Sequence, residues 1–96
     1  MITREEIIEI IYKSIGEVNQ VHELQIRLDL NSPLFGKESG LDSLGLVSLI
    51  TSIEGSIEES TGKYVPIADE KALSLESSPF KTVETLASYI EILLHE

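Results

Sequence analysis

Three segments of this chain carry apolar residues at three- and four-residue spacing, and this period restricts the fold more than any other feature of the sequence. The spacing places the apolar side chains of each segment on one face of an α-helix, while most charged residues fall on the opposite face. The chain has 96 residues, which is enough for one hydrophobic core and too few for two. We therefore expect residues 1–96 to form a single all-α domain.

The first helix is predicted over residues 4–18. Thr3 and Glu6 have the spacing of a capping box, in which the threonine side chain accepts a backbone N–H and the glutamate side chain reaches back. The apolar stripe that follows comprises Ile7, Ile11, Ile15 and Val18. One face of this helix is therefore expected to be buried and the rest exposed to solvent.

The second helix is predicted to begin at Asp42 or Ser43, either of which can cap it, and to run to about Ser60 before Gly62 ends it. Its expected buried face consists of Leu46, Leu49, Ile50, Ile53 and Ile57. Gly45 and Gly55 lie inside it, where a glycine costs about 1 kcal/mol relative to alanine. The sequence does not show whether something approaches these glycines closely or whether they are simply tolerated.

The last helix is predicted to start between Ser78 and Thr82, and Pro79 is acceptable in a first turn. Its expected buried stripe is Val83, Leu86, Ile90 and Leu94. A short helical turn is also predicted from about Asp69 to Leu73. The expected fold is thus a bundle of three main helices plus one short helix.

The connections between these helices are less regular. Residues 19–30 alternate apolar and polar side chains as a strand would, but no second segment reads as a strand that could pair with them. We therefore interpret 19–30 as an irregular or partly helical connection whose leucines pack inward. Pro33, Gly36 and Gly40 then indicate a long loop, and Tyr64 to Ile67 reads as extended because Pro66 disfavours the helical region for the residue before it.

Composition excludes several classes of function. Seventeen acidic against seven basic residues give a formal net charge of -10, which disfavours nucleic acid and anionic lipid as partners and favours proteins with basic surfaces. No segment approaches the roughly 20 apolar residues of a membrane span, and the N-terminus lacks the pattern of a signal peptide. We expect a cytoplasmic monomer. The chain has no cysteine, so any thiol on it must be added.

Catalytic motifs are also missing from the sequence. It contains no glycine-rich phosphate loop, no HExxH, no EF-hand ligand series and no G-x-S-x-G elbow, and we predict neither a metal site nor an enzyme. The two histidines, His22 and His95, are interpreted as solvent-exposed polar residues. Most carboxylates lie opposite the apolar stripes, where ordinary solvated charges are found.

The candidate site is Gly40-Leu41-Asp42-Ser43-Leu44, at the junction of the long loop and the second helix. Taken alone, Asp-Ser before an apolar run is what a plain helix cap looks like. A helix start also supplies unpaired N–H groups and a partial positive charge, so a phosphodiester on Ser43 would lie where an anion is stabilised.

Two apolar residues follow the serine on the outer side of the second helix. At about 100° per residue, the helix turns Leu44 and Val47 away from its buried face. A placed pair of exposed apolar side chains beside a reactive position indicates a docking surface. The alternative, that Leu34 or Phe35 covers them, remains open from the sequence.

With these residues in view, the chain resembles the acyl carrier proteins over nearly its whole length. The resemblance rests on the first amphipathic helix, the long loop, Gly40-Leu41-Asp42-Ser43-Leu44, the second helix, Tyr64-Val65-Pro66-Ile67 ahead of the short helix, and Thr82-Val83-Glu84-Thr85-Leu86 opening the last. This combination is much more specific than the serine motif alone.

The resemblance implies a covalent cofactor and a set of partner enzymes. Ser43 would receive 4′-phosphopantetheine from coenzyme A through a magnesium-dependent phosphopantetheinyl transferase, and Asp42 would help to position the magnesium and cap the helix. The terminal thiol would carry an acyl or aminoacyl group as a thioester. An acyl- or aminoacyl-loading ligase and downstream transferases or synthases would do the chemistry.

The sequence departs from this family at the start of the second helix. Members that serve fatty-acid synthesis usually show acidic residues there, but no residue from Leu44 through Ile53 is charged, and Gly45 and Ser48 stand where an acid is expected. Negative charge resumes at Glu54 and Glu58, which are predicted to contact partners. A specialised carrier in a dedicated acyl- or aminoacyl-loading pathway, such as polyketide or nonribosomal peptide biosynthesis, is favoured over the fatty-acid carrier.

Two other functions compete with the carrier. An unmodified helical adaptor would bind a partner groove through Leu44 and Val47 while the serine merely caps the helix. A small hydrolase would use Ser43 as its nucleophile, but it needs a base within reach, and the two histidines are far away in sequence.

Overall fold

The computed structural model describes residues 2–34, 43–67 and 81–95. The described residues form three α-helices, which are α1 (Arg4–His22), α2 (Ser43–Thr61) and α3 (Val83–Leu94). Within these ranges the backbone contains no β-strand and only one isolated bridge, between Pro33 and Thr82. The prediction of an all-α bundle with three main helices is confirmed to this extent.

The start of α1 agrees with the predicted capping box. The Thr3 hydroxyl accepts the backbone N–H of Glu6 at 3.2 Å, and the Glu6 carboxylate accepts the backbone N–H of Thr3 at 3.4 Å. The predicted stripe of Ile7, Ile11, Ile15 and Val18 is buried. Ser14 is buried on the same side of the helix, which the apolar pattern alone did not reveal.

The end of α1 differs from the prediction, because the helix continues to His22 rather than stopping at residue 18. No glycine or proline interrupts this stretch, so its backbone hydrogen bonds continue. The helix ends at Glu23, which adopts the left-handed conformation with φ of 55°. The backbone N–H groups of Glu23 and Leu24 both donate to the carbonyl of Asn19, which is a common way to terminate a helix.

Asn19 also fixes the chain that leaves α1. Its side-chain oxygen accepts the backbone N–H of Ile26 at 2.9 Å, and its side-chain nitrogen donates to the Ile26 carbonyl at 3.0 Å. Residues 24–28 are irregular, as expected, and Leu24, Ile26 and Leu30 pack partly buried against the core. Leu28 is exposed, so the expectation that every leucine of this connection packs inward is wrong at that position.

α2 ends close to where Gly62 predicts. The helix runs to Thr61, and Gly62 has a φ of 73°, a conformation that glycine adopts without steric cost. Of its predicted inner residues, Leu49, Ile50, Ile53 and Ile57 are buried and Leu46 is partly buried. Val65 and Ile67 are also buried, so the segment after α2 contributes to the core. The predicted short helix at 69–73 lies outside the described residues, as do positions 35–42 of the loop.

The start of α3 is tied to the connection after α1. Thr82 caps the helix by accepting the N–H of Thr85 at 3.2 Å, and lies within the predicted range for the start. The first backbone N–H groups of a helix have no acceptor within the helix. Here the connection supplies two acceptors, because Val83 donates to the Ser32 carbonyl and Glu84 donates to the Leu30 carbonyl. The first turn of α3 is thereby fully paired.

α1 packs against both other helices and runs antiparallel to each. Ser14 of α1 contacts Ser52 of α2, whereas Glu6, at the start of α1, lines a cavity with Ser60 near the end of α2. The Arg4 guanidinium likewise pairs with Glu91, near the end of α3, at 3.4 Å. The end of α1 and the start of α2 therefore lie at the same end of the bundle.

The core also contains residues that the helical stripes did not predict. Val83, Leu86 and Ile90 of α3 are buried as expected, but Leu94 is only partly buried near the helix end. The additional buried residues are Leu34, Val65, Ile67 and Ala87.

Candidate functional site

Ser43 is the first residue of α2, so the candidate attachment residue lies at the positively polarised end of a helix. The first turn of α2 contains no acidic residue, whereas α1 carries Glu5 and Glu6 there and α3 carries Glu84. A phosphate group on Ser43 would therefore lie at the positively polarised end of the helix, with no carboxylate from the first turn beside it. Asp42, predicted to help position magnesium, lies outside the described residues.

Leu44 and Val47 lie on the outer face of α2 and are 73% and 59% exposed. Leu34, one of the two residues that could cover them, is instead fully buried in the core. Phe35, the other candidate cover, lies outside the described residues. Two large apolar side chains one helical turn apart are therefore presented to solvent within the first two turns after Ser43.

The two positions of α2 where an acid is expected, Gly45 and Ser48, differ in burial. Gly45 is buried, so a charge placed there would have to be desolvated. Ser48 is exposed and could carry a charge without such a cost. Burial thus disfavours an acid at Gly45, whereas at Ser48 the lack of an acid is a property of the exposed surface.

The two acids predicted to contact partners have different surroundings. One carboxylate oxygen of Glu54 accepts the backbone N–H of Ile67 at 2.6 Å, in a partly buried position. Glu58 is exposed on the outer side of the helix. Glu54 therefore anchors the chain after α2, while Glu58 presents its charge to solvent.

A groove between α1 and α2 was not found by sequence reasoning. The Ser52 hydroxyl donates to the Glu17 carboxylate at 3.0 Å, and its oxygen lies 3.2 Å from that of the buried Ser14. The only sequence signal is that Ser14 interrupts the apolar stripe three residues before Glu17. Polar residues facing a helix interface usually need a partner across it, and Ser52 is that partner.

The two histidines are both exposed, as predicted, and lie at opposite ends of the bundle. His95 lines a cavity with Ser60 and Thr61, about 25 Å along α2 from Ser43. His22 lies at the end of α1 and lines the groove that also contains Ser48. Of the two, only His22 is at the serine end of the bundle.

Within the part of the chain that the structure describes, no helix is long and apolar enough to cross a membrane. Comparisons with known protein families, curated proteins and solved structures find no match for this chain. The described residues define an all-α bundle in which a serine opens a helix whose first turn has no acid. Two exposed apolar side chains follow that serine on the outer face of the helix.

Proposed function

We propose that this chain is an acyl carrier protein that holds an acyl or aminoacyl group on a 4′-phosphopantetheine arm attached to Ser43. The observation that carries the proposal is the position of Ser43 as the first residue of α2, followed by exposed Leu44 and Val47. A helix start favours the phosphodiester, and the apolar pair offers a surface for the enzymes that must reach the arm.

The attachment step is a phosphoryl transfer. The Ser43 hydroxyl oxygen attacks the phosphorus of coenzyme A that bears pantetheine, a new P–O bond forms, and the bond to the departing adenosine bisphosphate breaks. The serine proton passes to a base of the transferase or to water. Magnesium, held by that enzyme with help from Asp42, would offset the charge of the transferred phosphate. Afterwards the chain bears a thiol that its own sequence does not supply.

The partners of the arm are a phosphopantetheinyl transferase, an acyl- or aminoacyl-loading ligase, and downstream transferases or synthases. No residue from Leu44 through Ile53 is charged. This favours a dedicated pathway over the fatty-acid enzymes, which dock on acidic residues of their carrier. Competitive loading tests this point, since efficient use by fatty-acid synthase enzymes would remove the distinction.

The alternative function is an unmodified helical adaptor, and exposed Leu44 and Val47 suit it equally well. In that case Ser43 only begins the helix and no cofactor is added. The carrier and the adaptor therefore differ in one measurable quantity, the thiol content of the protein after treatment with a modifying enzyme.

The test is incubation with coenzyme A, magnesium and a broad-specificity phosphopantetheinyl transferase, followed by thiol titration and intact mass. Wild-type protein should rise from zero to one thiol per chain and gain the mass of the arm. Ser43→Ala should abolish the gain, whereas Ser48→Ala, which removes an exposed serine from the same helix, should keep it. An unmodified wild-type chain would favour the adaptor, and a gain that survives Ser43→Ala would place the arm elsewhere.

A further inference from the structure

The groove between the second half of α1 and the first half of α2 lies at the same end of the bundle as Ser43. Its volume is about 220 Å³, and its lining residues are Glu17, Val18, Val21, His22, Ser48 and Ser52. Sites for drug-sized ligands begin at roughly 300 Å³, so this groove suits a small group and not a long acyl chain.

The polar side of the groove presents a hydrogen-bond acceptor. A hydroxyl has a single hydrogen, and since Ser52 donates it to one oxygen of Glu17, the Ser14–Ser52 contact is completed by the Ser14 hydrogen. This chain of hydroxyls orients the Glu17 carboxylate toward α2. Its second oxygen has no hydrogen-bond donor among the described residues, so the groove offers a negatively charged acceptor beside the apolar side chain of Val21.

We propose that this α1–α2 groove receives the cargo of the arm and selects a small aminoacyl group, whose ammonium pairs with Glu17. The inference rests on the proposed function, because it requires an arm on Ser43. It extends that function by naming the class of cargo. A neutral acyl group of the same shape would leave the carboxylate solvated and gain nothing from it.

The arm can reach the groove along the outer face of α2. Ser48 and Ser52 follow Ser43 by five and nine residues, which corresponds to about 7.5 and 13.5 Å along the helix axis. An extended phosphopantetheine chain is longer than this. On its way it crosses the face that bears Leu44 and Val47, whose exposed side chains offer apolar contact to its methyl groups.

Tethering raises the occupancy that a shallow groove can reach. An exposed pair between a carboxylate and an ammonium is weak when the two partners are separate molecules. A flexible tether instead holds the ammonium at an effective concentration of about millimolar, so occupancy becomes an intramolecular equilibrium. The same pairing would not retain a free amino acid at low concentration.

The experiment compares two cargoes that differ only at the end. A phosphopantetheinyl transferase loads the protein with amide-linked glycyl and propionyl analogues of coenzyme A, in which an ammonium replaces a methyl group. Amide NMR spectra of ¹⁵N-labelled protein should show shifts at Glu17, Ser48 and Ser52 with the glycyl arm that the propionyl arm does not cause. Contacts between the glycyl methylene and the Val21 methyls should accompany them.

Matched variants then test the carboxylate. Glu17→Gln should abolish the glycyl-specific shifts, while Glu9→Gln, the same change eight residues and about 12 Å earlier on α1, should keep them. Identical spectra for the two cargoes, or glycyl shifts that survive Glu17→Gln, would overturn the inference. Intact mass separates the two failures: a loaded protein without glycyl-specific shifts refutes only the cargo site, whereas an unloaded protein refutes the carrier function as well.

Discussion

The inner and outer faces of α2 both carry large aliphatic side chains, but those on the inner face are buried and those on the outer face are exposed. Leu49 and Ile53 on the inner face are completely buried, while Leu44 and Val47 on the outer face are mostly exposed. Burial of an aliphatic side chain contributes roughly 1.5–3 kcal/mol, and an exposed one contributes little to folding. The inner residues are explained by the fold, whereas the outer residues need another explanation.

The inner residues of α2 therefore contribute to stability, while the outer residues are candidates for a role in function. An exposed leucine by itself is ordinary, but the outer pair lies directly after Ser43 in a stretch without any charge. The chain has a net charge of -10, so the apolar pair stands out against an acidic surface. Substitutions on the two faces should therefore change different measurements.

The largest effect is expected on the inner face. Ile53→Ala removes a fully buried side chain from the core and should lower the free energy of unfolding by about 2–5 kcal/mol. Leu44→Ala on the outer face should change it by less than about 0.5 kcal/mol. Urea unfolding followed by circular dichroism measures both. A large loss from Leu44→Ala would show that this side chain is part of the core and would remove the contrast.

The next effect concerns the outer face and appears only with a partner. The double variant Leu44→Ala, Val47→Ala should fold normally and lower kcat/KM for arm transfer about tenfold, because two apolar contacts are lost at the docking surface. Initial rates with a phosphopantetheinyl transferase provide the measurement, and Thr51→Ala on the same exposed side is the control. Unchanged rates in the double variant would leave the outer pair without a role in this step.

A smaller effect distinguishes the two acids of α2. Glu54→Ala leaves the backbone N–H of Ile67 without its acceptor and should cost about 1–2 kcal/mol of unfolding free energy. Glu58→Ala removes an exposed charge and should have almost no effect on stability. Equal losses in urea unfolding would mean that the Glu54 contact contributes nothing beyond its charge.

The helices of this fold follow directly from the sequence pattern, and their ends do so only in part. The capping box at Thr3 and Glu6 and the glycine at position 62 both act as predicted, because each works through its immediate neighbours. The end of α1 lies four residues beyond the predicted one, because no glycine or proline marks it. The Asn19 side chain binds Ile26 across seven residues and fixes the chain beyond the helix, a contact that no periodic pattern encodes.

In the candidate site, too, local features follow from the sequence and contacts between distant residues do not. The position of Ser43 at a helix start and the exposure of Leu44 follow from local pattern and helical projection. The Glu17–Ser52 contact joins two helices and depends on how they pack, so composition and spacing could not reveal it. Glu54 looked like a surface acid for the same reason, since its acceptor role depends on where the chain after α2 returns.

The smallest effect concerns a glycine on the outer side of α2. A side chain at Gly55 would meet nothing within 4 Å, and the residue is exposed and helical, so the fold does not require glycine there. Gly55→Ala should raise the free energy of unfolding by about 0.4–1 kcal/mol by restricting the unfolded chain and improving helix propensity. Urea unfolding measures the gain, and a loss of stability would contradict the open environment.

Gly16→Ala on α1 is the matched control, because a side chain there also meets nothing within 4 Å. Both variants should be stabilised to a similar degree, and transferase rates then separate them. If Gly55 is kept because a partner approaches the outer face of α2 closely, Gly55→Ala alone should slow arm transfer. If both variants retain full rates, the docking surface ends before Gly55 and is confined to the turns nearest Ser43.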